Sequence, residues 1–153
     1  MASNAVQQET ISMKLINRWE QVCRKLTALG EEFPDGKFDS SLVEGTRTVA
    51  DVLRHVAFWN YYVAETARGH KGDDSANELP KEKFATKKQI INELNRSAAN
   101  ATEALKKNAS GLSPELAETL VTFIEHNCEH YGQLVVYARL NGIVPPASRI
   151  HSN

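Results

Sequence analysis

The chain has 153 residues, of which 41% are hydrophobic and 24% are charged, and its formal net charge is −1. These values are typical of a globular protein with one core, and we expect a single domain over residues 1–153. We expect a cytoplasmic protein that binds neither nucleic acid nor membrane, because no basic stripe interleaves with aromatic residues and no stretch approaches the roughly 20 apolar residues of a membrane span.

The first predicted helix extends from about Glu9 to Leu29. Its apolar residues recur at steps of three and four and form one stripe, which contains Ile11, Leu15, Trp19, Val22, Leu26 and Leu29. Gly30 is predicted to end this helix, because glycine is common just beyond a helical C-terminus. The next stretch, EEFPDGKFDSSLVEGT at residues 31–46, is rich in Pro, Gly, Asp and Ser and predicts a long connection.

The second and third predicted helices each begin at a capping box, in which a Thr and the residue three places later cap each other's backbone N–H. Thr48 with Asp51 begins the second helix, which Gly69 ends, and Thr86 with Gln89 begins the third. The second stripe contains Val49, Val52, Leu53, Val56, Trp59, Val63 and Ala67. The third is weaker and continues to about Asn108 with Ile90, Leu94, Ala98, Ala101 and Leu105.

The fourth predicted helix begins at Ser113-Pro114-Glu115, where Ser caps the helix, Pro suits its first position and Glu favours the positive end of its dipole. It extends to Asn141 and is longer than the other three. We therefore allow a break near Leu120 to Thr122, where Thr122 and Glu125 would form another capping box. Four helices with one apolar stripe each predict an all-α fold, an up-down-up-down four-helix bundle.

Three of the five histidines are predicted to point into this bundle. His126 and His130 are four residues apart on the fourth helix, so they differ by about 40° around its axis. They share a face with Phe123, Leu134 and Tyr137. His55 lies at the edge of the apolar stripe of the second helix. The other two histidines, His70 and His151, lie in a loop and in the C-terminal tail.

Inward imidazoles need partners, because a buried polar group without a hydrogen bond is costly. A divalent metal ion satisfies several at once, since each neutral imidazole donates a lone pair at about 2.0–2.1 Å. The spacing alone leaves a metal site and hydrogen-bonded core histidines as open alternatives. HNCEH, at residues 126–130, also fits the HxxEH pattern of one metalloprotease class. No Asp or Glu follows His130 to complete such a site, so we do not expect a protease.

Two stretches resemble the DinB/YfiT-like family of bacterial metal-binding four-helix bundles. TRTVADVLRHVAFWN, at residues 46–60, resembles that family's second helix, where a histidine before Ile or Val and Ala is the first ligand. HNCEHYGQLVVYARLNGIVPP, at residues 126–146, resembles its last helix, where HxxxH precedes Gly-Gln, Tyr and prolines. The resemblance implies that His55, His126 and His130 are the metal ligands. It implies a divalent ion, with Ni or Zn expected first and Fe or Mn as alternatives.

The resemblance also implies candidate functions. Three histidine ligands leave coordination positions open, as in catalytic rather than closed structural sites. Relatives include thiol-dependent S-transferases and isomerases, so we expect a metal-dependent enzyme that transfers a low-molecular-weight thiol to a small electrophilic substrate. A metal-dependent hydrolase and a non-catalytic metal-binding or stress-response module are the alternatives. We expect a homodimer, which many such bundles form.

Carboxylates and cysteines near the histidines receive separate predictions. Glu65 and Glu129 are candidates for a base, while Glu125 and Glu129 are expected at the edge of the site, contacting ligands rather than the ion. Cys23 and Cys128 form no CxxC pattern and are expected to be reduced and buried. Cys128 lies about 200° around the helix from His126 and is not expected to join the site.

Three further side chains lie close to the predicted ligands by helical spacing. Trp59 and Tyr137 are predicted to pack in the core, with the lining of a substrate pocket as the alternative. Gln133 is expected either to form a hydrogen bond near the site or to lie at an interface between helices.

Overall fold

A computed structural model describes residues 10–149, so Glu9 and His151 lie outside the described residues. Within this range every regular element is helical, and the all-α prediction is confirmed. The elements are α1 (Ile11–Glu32), α2 (Asp35–Phe38), α3 (Val49–Ala67), α4 (Lys87–Lys106), α5 (Pro114–Leu140) and a short 3-10 helix (Pro146–Ser148). No helix in residues 10–149 combines the length and apolar character that are needed to cross a membrane.

Gly30 does not end α1, and the prediction that it would is wrong. The helix continues for two residues beyond it. A Cβ added to this buried glycine would lie 2.7 Å from Cδ1 of Leu53 and 3.0 Å from Cδ1 of Ile91. The glycine therefore leaves room for the Leu53 and Ile91 side chains, which a larger residue would have to displace. The helix ends before Phe33 because Pro34 disfavours helical backbone in the residue that precedes it.

The predicted starts of α3 and α4 are confirmed. The Thr48 hydroxyl accepts the Asp51 backbone N–H at 3.0 Å, and the Asp51 carboxylate accepts the Thr48 N–H at 3.1 Å. Thr86 and Gln89 form the same reciprocal pair at the start of α4. Gly69 follows the end of α3 with φ +79°, a left-handed conformation that glycine adopts readily. The long connection after α1 contains the one-turn helix α2, which the sequence did not predict.

Helix α5 is continuous, so the break allowed near Leu120 does not occur. Ser113 caps it, and its hydroxyl accepts the Leu116 backbone N–H at 3.2 Å. Leu120 is fully buried in the core, whereas Thr122 and Glu125 are exposed. Packing of the apolar side thus keeps the helix intact past the position where a second capping box was possible.

Four pairs of helices carry most of the packing: α1 and α3 each lie against both α4 and α5. Although α1 and α3 are the first two long helices, they touch each other at few positions. They therefore lie across the bundle from each other, and residues 33–48 connect them over that distance. The up-down-up-down course of the helices stays a prediction. The predicted histidine ligands belong to α3 and α5, which pack side by side.

Candidate metal centre

The structure brings the three predicted histidines together at the interface of α3 and α5. His126 and His130 are half-buried and lie one turn apart on α5, with ring centroids separated by 4.5 Å. The His55 ring lies on α3, is only 7% exposed, and has its centroid 4.8 Å from each of the other two. One nitrogen from each ring lies within 4.8 Å of the others, so this triad could hold a metal ion.

Each imidazole of the triad has an oxygen acceptor at Nδ1. The pairs are His55 with the backbone carbonyl of Asn77 (2.5 Å), His126 with Oδ1 of Asn127 (3.1 Å) and His130 with Oε1 of Gln133 (3.0 Å). Carbonyl and amide oxygens only accept hydrogen bonds, so these partners assign the hydrogen of each neutral ring to Nδ1. The Nε2 atom of each ring is then left with a free lone pair, the form in which imidazole binds metals.

Two of these lone pairs face each other closely. Nε2 of His55 and Nε2 of His126 are 2.8 Å apart. A proton between them would require one ring to give up its Nδ1–H hydrogen bond or to become charged. Two imidazoles on one ion, with nitrogen–metal distances of about 2.0–2.1 Å and angles between 90° and 109°, are about 2.8–3.4 Å apart. The observed separation of these two nitrogens fits this range, so His55 and His126 are placed to bind one divalent cation.

Burial keeps the triad neutral. It lowers the pKa of His55 to about 4, although the hydrogen bond to Asn77 acts in the opposite direction. The positive charge of Arg47 and the two neighbouring imidazoles lower this pKa further. Burial is also the main cause of the lowered pKa values of His126 and His130. At neutral pH all three rings are therefore in the form that can donate to a metal ion.

The three carboxylates that the sequence analysis associated with the site lie outside the triad. Glu125 and Glu129 are exposed, and the charge of Glu129 acts on the two histidines of α5 only by raising their pKa values. Glu65 lies ten residues beyond the histidine of α3, about 15 Å along the helix. There its carboxylate pairs with Arg68 at 2.7 Å and with His70 at 2.9 Å. This position makes Glu65 unsuitable as a base for the triad.

The predictions for the cysteines are correct only in part, whereas those for Gln133 and Tyr137 are confirmed. Cys23 and Cys128 are both free thiols, but only Cys23 is buried, so the prediction of burial is wrong for Cys128. Cys128 points away from the core because it lies on the side of α5 opposite the triad. Gln133 does form a hydrogen bond at the site, and its Nε2 donates to the Tyr137 hydroxyl at 2.8 Å. Tyr137 is 8% exposed, as expected of a core residue.

Half-buried aromatic rings flank one side of the triad. The Trp59 ring centroid lies 6.3 Å from that of His55, and the Phe123 centroid lies 5.6 Å from that of His126. Trp59 and Phe123 stack with centroids 5.4 Å apart, and Tyr62 contacts both rings. Trp59 is therefore only partly a core residue, because part of its surface remains accessible beside the histidines.

Asn77 is a site residue that the sequence analysis missed. Its backbone carbonyl accepts from His55, and its side-chain Oδ1 accepts from the indole N–H of Trp59 at 3.2 Å. The connection between α3 and α4 that contains it lies close against α3, since a Cβ on Gly72 would come within 2.3 Å of the Tyr62 ring. A loop residue that acts through its backbone leaves no periodic signal, so nothing in the sequence marks it.

Comparison with known proteins agrees with the geometry. The model of the DinB superfamily matches residues 18–134, which make up most of the chain and include all three histidines. No curated protein matches the chain at a significant level. The resemblance drawn from residues 46–60 and 126–146 thus extends over the helical bundle that brings those two segments together. The chain belongs to the DinB superfamily.

Proposed function

We propose that the protein binds one divalent metal ion through the Nε2 atoms of His55, His126 and His130. The observation that carries this proposal is the 2.8 Å separation between Nε2 of His55 and Nε2 of His126. Both rings have an acceptor at Nδ1, so their hydrogens are assigned there and both Nε2 atoms have free lone pairs. A cation between such nitrogens converts a repulsion between lone pairs into coordination. Imidazole nitrogens suit Ni and Zn, which we expect first, and they also accept Fe; Mn is the least favoured of the four.

The charge of the site indicates what would occupy an open coordination position. The three rings are neutral, and their hydrogen-bond acceptors are a backbone carbonyl and two amides. Among residues 10–149 no carboxylate belongs to the group of possible metal ligands, so a bound ion would keep its full charge of about +2. The nearby positive charge of Arg47 adds to it, and the exposed carboxylate of Glu129 offsets part of it. This electrostatic setting favours an anionic fourth ligand, such as a thiolate.

We therefore propose an enzyme that transfers a low-molecular-weight thiol to a small electrophilic substrate. When bound, the ion would supply Lewis acidity that lowers the pKa of a thiol. In the reaction the sulfur lone pair forms a bond to an electrophilic carbon, the leaving group departs with its bonding electrons, and the thiol proton passes to solvent. The aromatic rings of Trp59 and Phe123 would flank the reactants and limit their contact with water.

A non-catalytic metal-binding module is the second candidate. It is favoured by the position of the triad, which joins α3 to α5, so an ion would stabilise the bundle whether or not any substrate reacts. A homodimer and a cytoplasmic location remain predictions for either candidate. The exposed apolar side chains of α5, which include Val136 and Leu140, support the homodimer.

The metal site is tested by elemental analysis of protein purified without an affinity tag. After reconstitution with Ni or Zn and desalting, the wild type should retain about one ion per chain. His126→Ala should lose it, while His70→Ala, which alters an exposed histidine outside the triad, should retain it. Wild-type protein that keeps no ion, or equal loss from both variants, would refute the metal site.

The choice between the two candidates requires activity measurements on the metal-loaded protein. A panel of bacterial thiols is combined with a chlorinated aromatic electrophile, and a panel of esters tests for the hydrolase alternative. Thiol transfer that disappears in His126→Ala supports the proposed enzyme. Ester hydrolysis that disappears in His126→Ala would support the hydrolase instead. Absence of turnover with every thiol and every ester, together with full metal occupancy, would support the non-catalytic module.

A further inference from the structure

One polar side chain interrupts the apolar side of α5. Asn127 is 1% exposed and lies seven residues from both Leu120 and Leu134, which are fully buried. Residues at this spacing share one face of a helix. An amide among leucines is costly unless its hydrogen-bonding groups are satisfied, so its presence in the core calls for a specific role.

Both ends of the Asn127 amide have partners, and these partners differ. The oxygen, Oδ1, accepts the Nδ1–H of His126 at 3.1 Å. The nitrogen, Nδ2, donates to the sulfur of Cys23 on α1 at 3.7 Å. Cys23 is 5% exposed, and burial raises its pKa to about 12, so its sulfur stays a neutral thiol and a weak acceptor. The amide thus presents its oxygen to the imidazole and its nitrogen to the thiol.

We propose that Asn127 is a positioning residue that holds His126 in its Nδ1–H form and thereby aims the Nε2 lone pair at the metal position. This inference rests on the proposed metal site. His130 relies on Gln133, which is half-buried and shares its surroundings with water, whereas Asn127 acts from inside the core. Water cannot readily replace the acceptor at that position, so its loss affects His126 directly.

The bundle offers a matched control for the loss of a buried amide. Asn60 on α3 is also 1% exposed, and its Nδ2 donates to the Ser97 hydroxyl at 3.1 Å. Its hydrogen bond does not involve the triad. Asn127→Leu and Asn60→Leu therefore remove the same chemical group from the same core, but only the first removes the acceptor of a predicted ligand.

The tautomer of His126 is measured first, by nitrogen-15 NMR of the metal-free protein in EDTA. In the wild type and in Asn60→Leu, the hydrogen should reside on Nδ1. In Asn127→Leu it should move to Nε2, from which it can donate to Nε2 of His55, or exchange between the two nitrogens, while His55 and His130 keep their own hydrogens on Nδ1. A His126 ring that keeps its Nδ1–H form in Asn127→Leu would overturn the inference. This result is obtained without metal and is independent of the proposed metal site.

Metal affinity is measured second, by competition of Zn with a chromophoric chelator. Loss of an outer hydrogen-bond partner typically weakens metal binding by about 10–100-fold, and we expect this loss for Asn127→Leu. The Zn affinity of Asn60→Leu should stay within about threefold of the wild-type value. Asn127→Asp keeps an acceptor oxygen and should bind Zn more tightly than Asn127→Leu does. Equal weakening by Asn60→Leu and Asn127→Leu would contradict a specific role. If leucine prevents folding, Asn127→Ala gives the same two measurements.

Discussion

Acidification of the metal-free protein from pH 7 to pH 4.5 is expected to lower its free energy of unfolding. His55 has a pKa of about 4 in the folded protein, against an ordinary value of 6.5. Well above pH 6.5 the ring is neutral in both states, and its contribution to the free energy of unfolding is at its maximum. Between pH 6.5 and pH 4 mainly the unfolded chain binds the proton, so stability falls as the pH falls.

The size of this effect follows from the pKa difference. The loss has a limiting slope of about 1.4 kcal/mol per pH unit, and His55 alone contributes about 2 kcal/mol between pH 7 and pH 4.5. The lowered pKa values of His126 and His130 act in the same direction. Carboxyl groups with lowered pKa values, such as Asp51 and Glu65, have ordinary values of 3.8 and 4.5, so most of their contribution is lost below this pH range.

Urea unfolding followed by circular dichroism, in EDTA at pH 7, 6, 5 and 4.5, measures the loss. His55→Gln keeps an N–H donor for the Asn77 carbonyl but cannot titrate, so its loss should be smaller than that of the wild type by about 2 kcal/mol. His70→Gln removes an exposed histidine and should behave like the wild type. The same pH dependence in His55→Gln and in the wild type would refute the reasoning.

Three further predictions concern stability and can be checked by urea or thermal unfolding. Gly30→Ala should lower the free energy of unfolding by about 1 kcal/mol, because the clash with neighbouring side chains outweighs the gain in helix propensity. Gly132→Ala has open space around it and should raise the free energy of unfolding by about 0.5–1 kcal/mol. A change of the same sign in both variants would contradict this. Asp51→Ala should lower the free energy of unfolding by about 3–5 kcal/mol, since it removes the 2.6 Å ion pair of the buried Arg54. Lys81→Ala removes only an exposed cation from the same carboxylate and should lower it by less than about 1 kcal/mol. Zn at 100 times its Kd should add about 2.7 kcal/mol to the free energy of unfolding, EDTA should reverse the gain, and a variant lacking one triad histidine should show none.

The features that the sequence predicted correctly depend on short-range patterns. The capping pairs at Thr48 and Thr86 involve residues three positions apart, so the sequence contains all the information that they need. The facing of His126 and His130 follows from the helical period in the same way. Their approach to His55 required only that two apolar stripes meet in one core, which a small helical bundle makes necessary.

The features that the sequence did not predict depend on tertiary packing. Gly30 follows the apolar stripe as a helix-ending glycine would, yet it lies inside α1, where side chains of two other helices pack closely against it. Asn77 acts from a loop through its backbone, which any residue type possesses. Asn127 could have been predicted, because a polar residue midway between Leu120 and Leu134 interrupts a series of apolar residues spaced seven apart.

The order of the helices along the chain affects when the proposed metal ion could be acquired. Helix α5 is the last long helix and supplies two of the three nitrogens, while the third comes from α3, about 70 positions earlier. A chain in which α5 has not yet docked can offer an ion only a lone imidazole or a pair one turn apart. Tight uptake would therefore be among the final events of maturation, and the rate at which a dye releases its metal to a refolding chain would report the docking of α5 rather than the formation of individual helices.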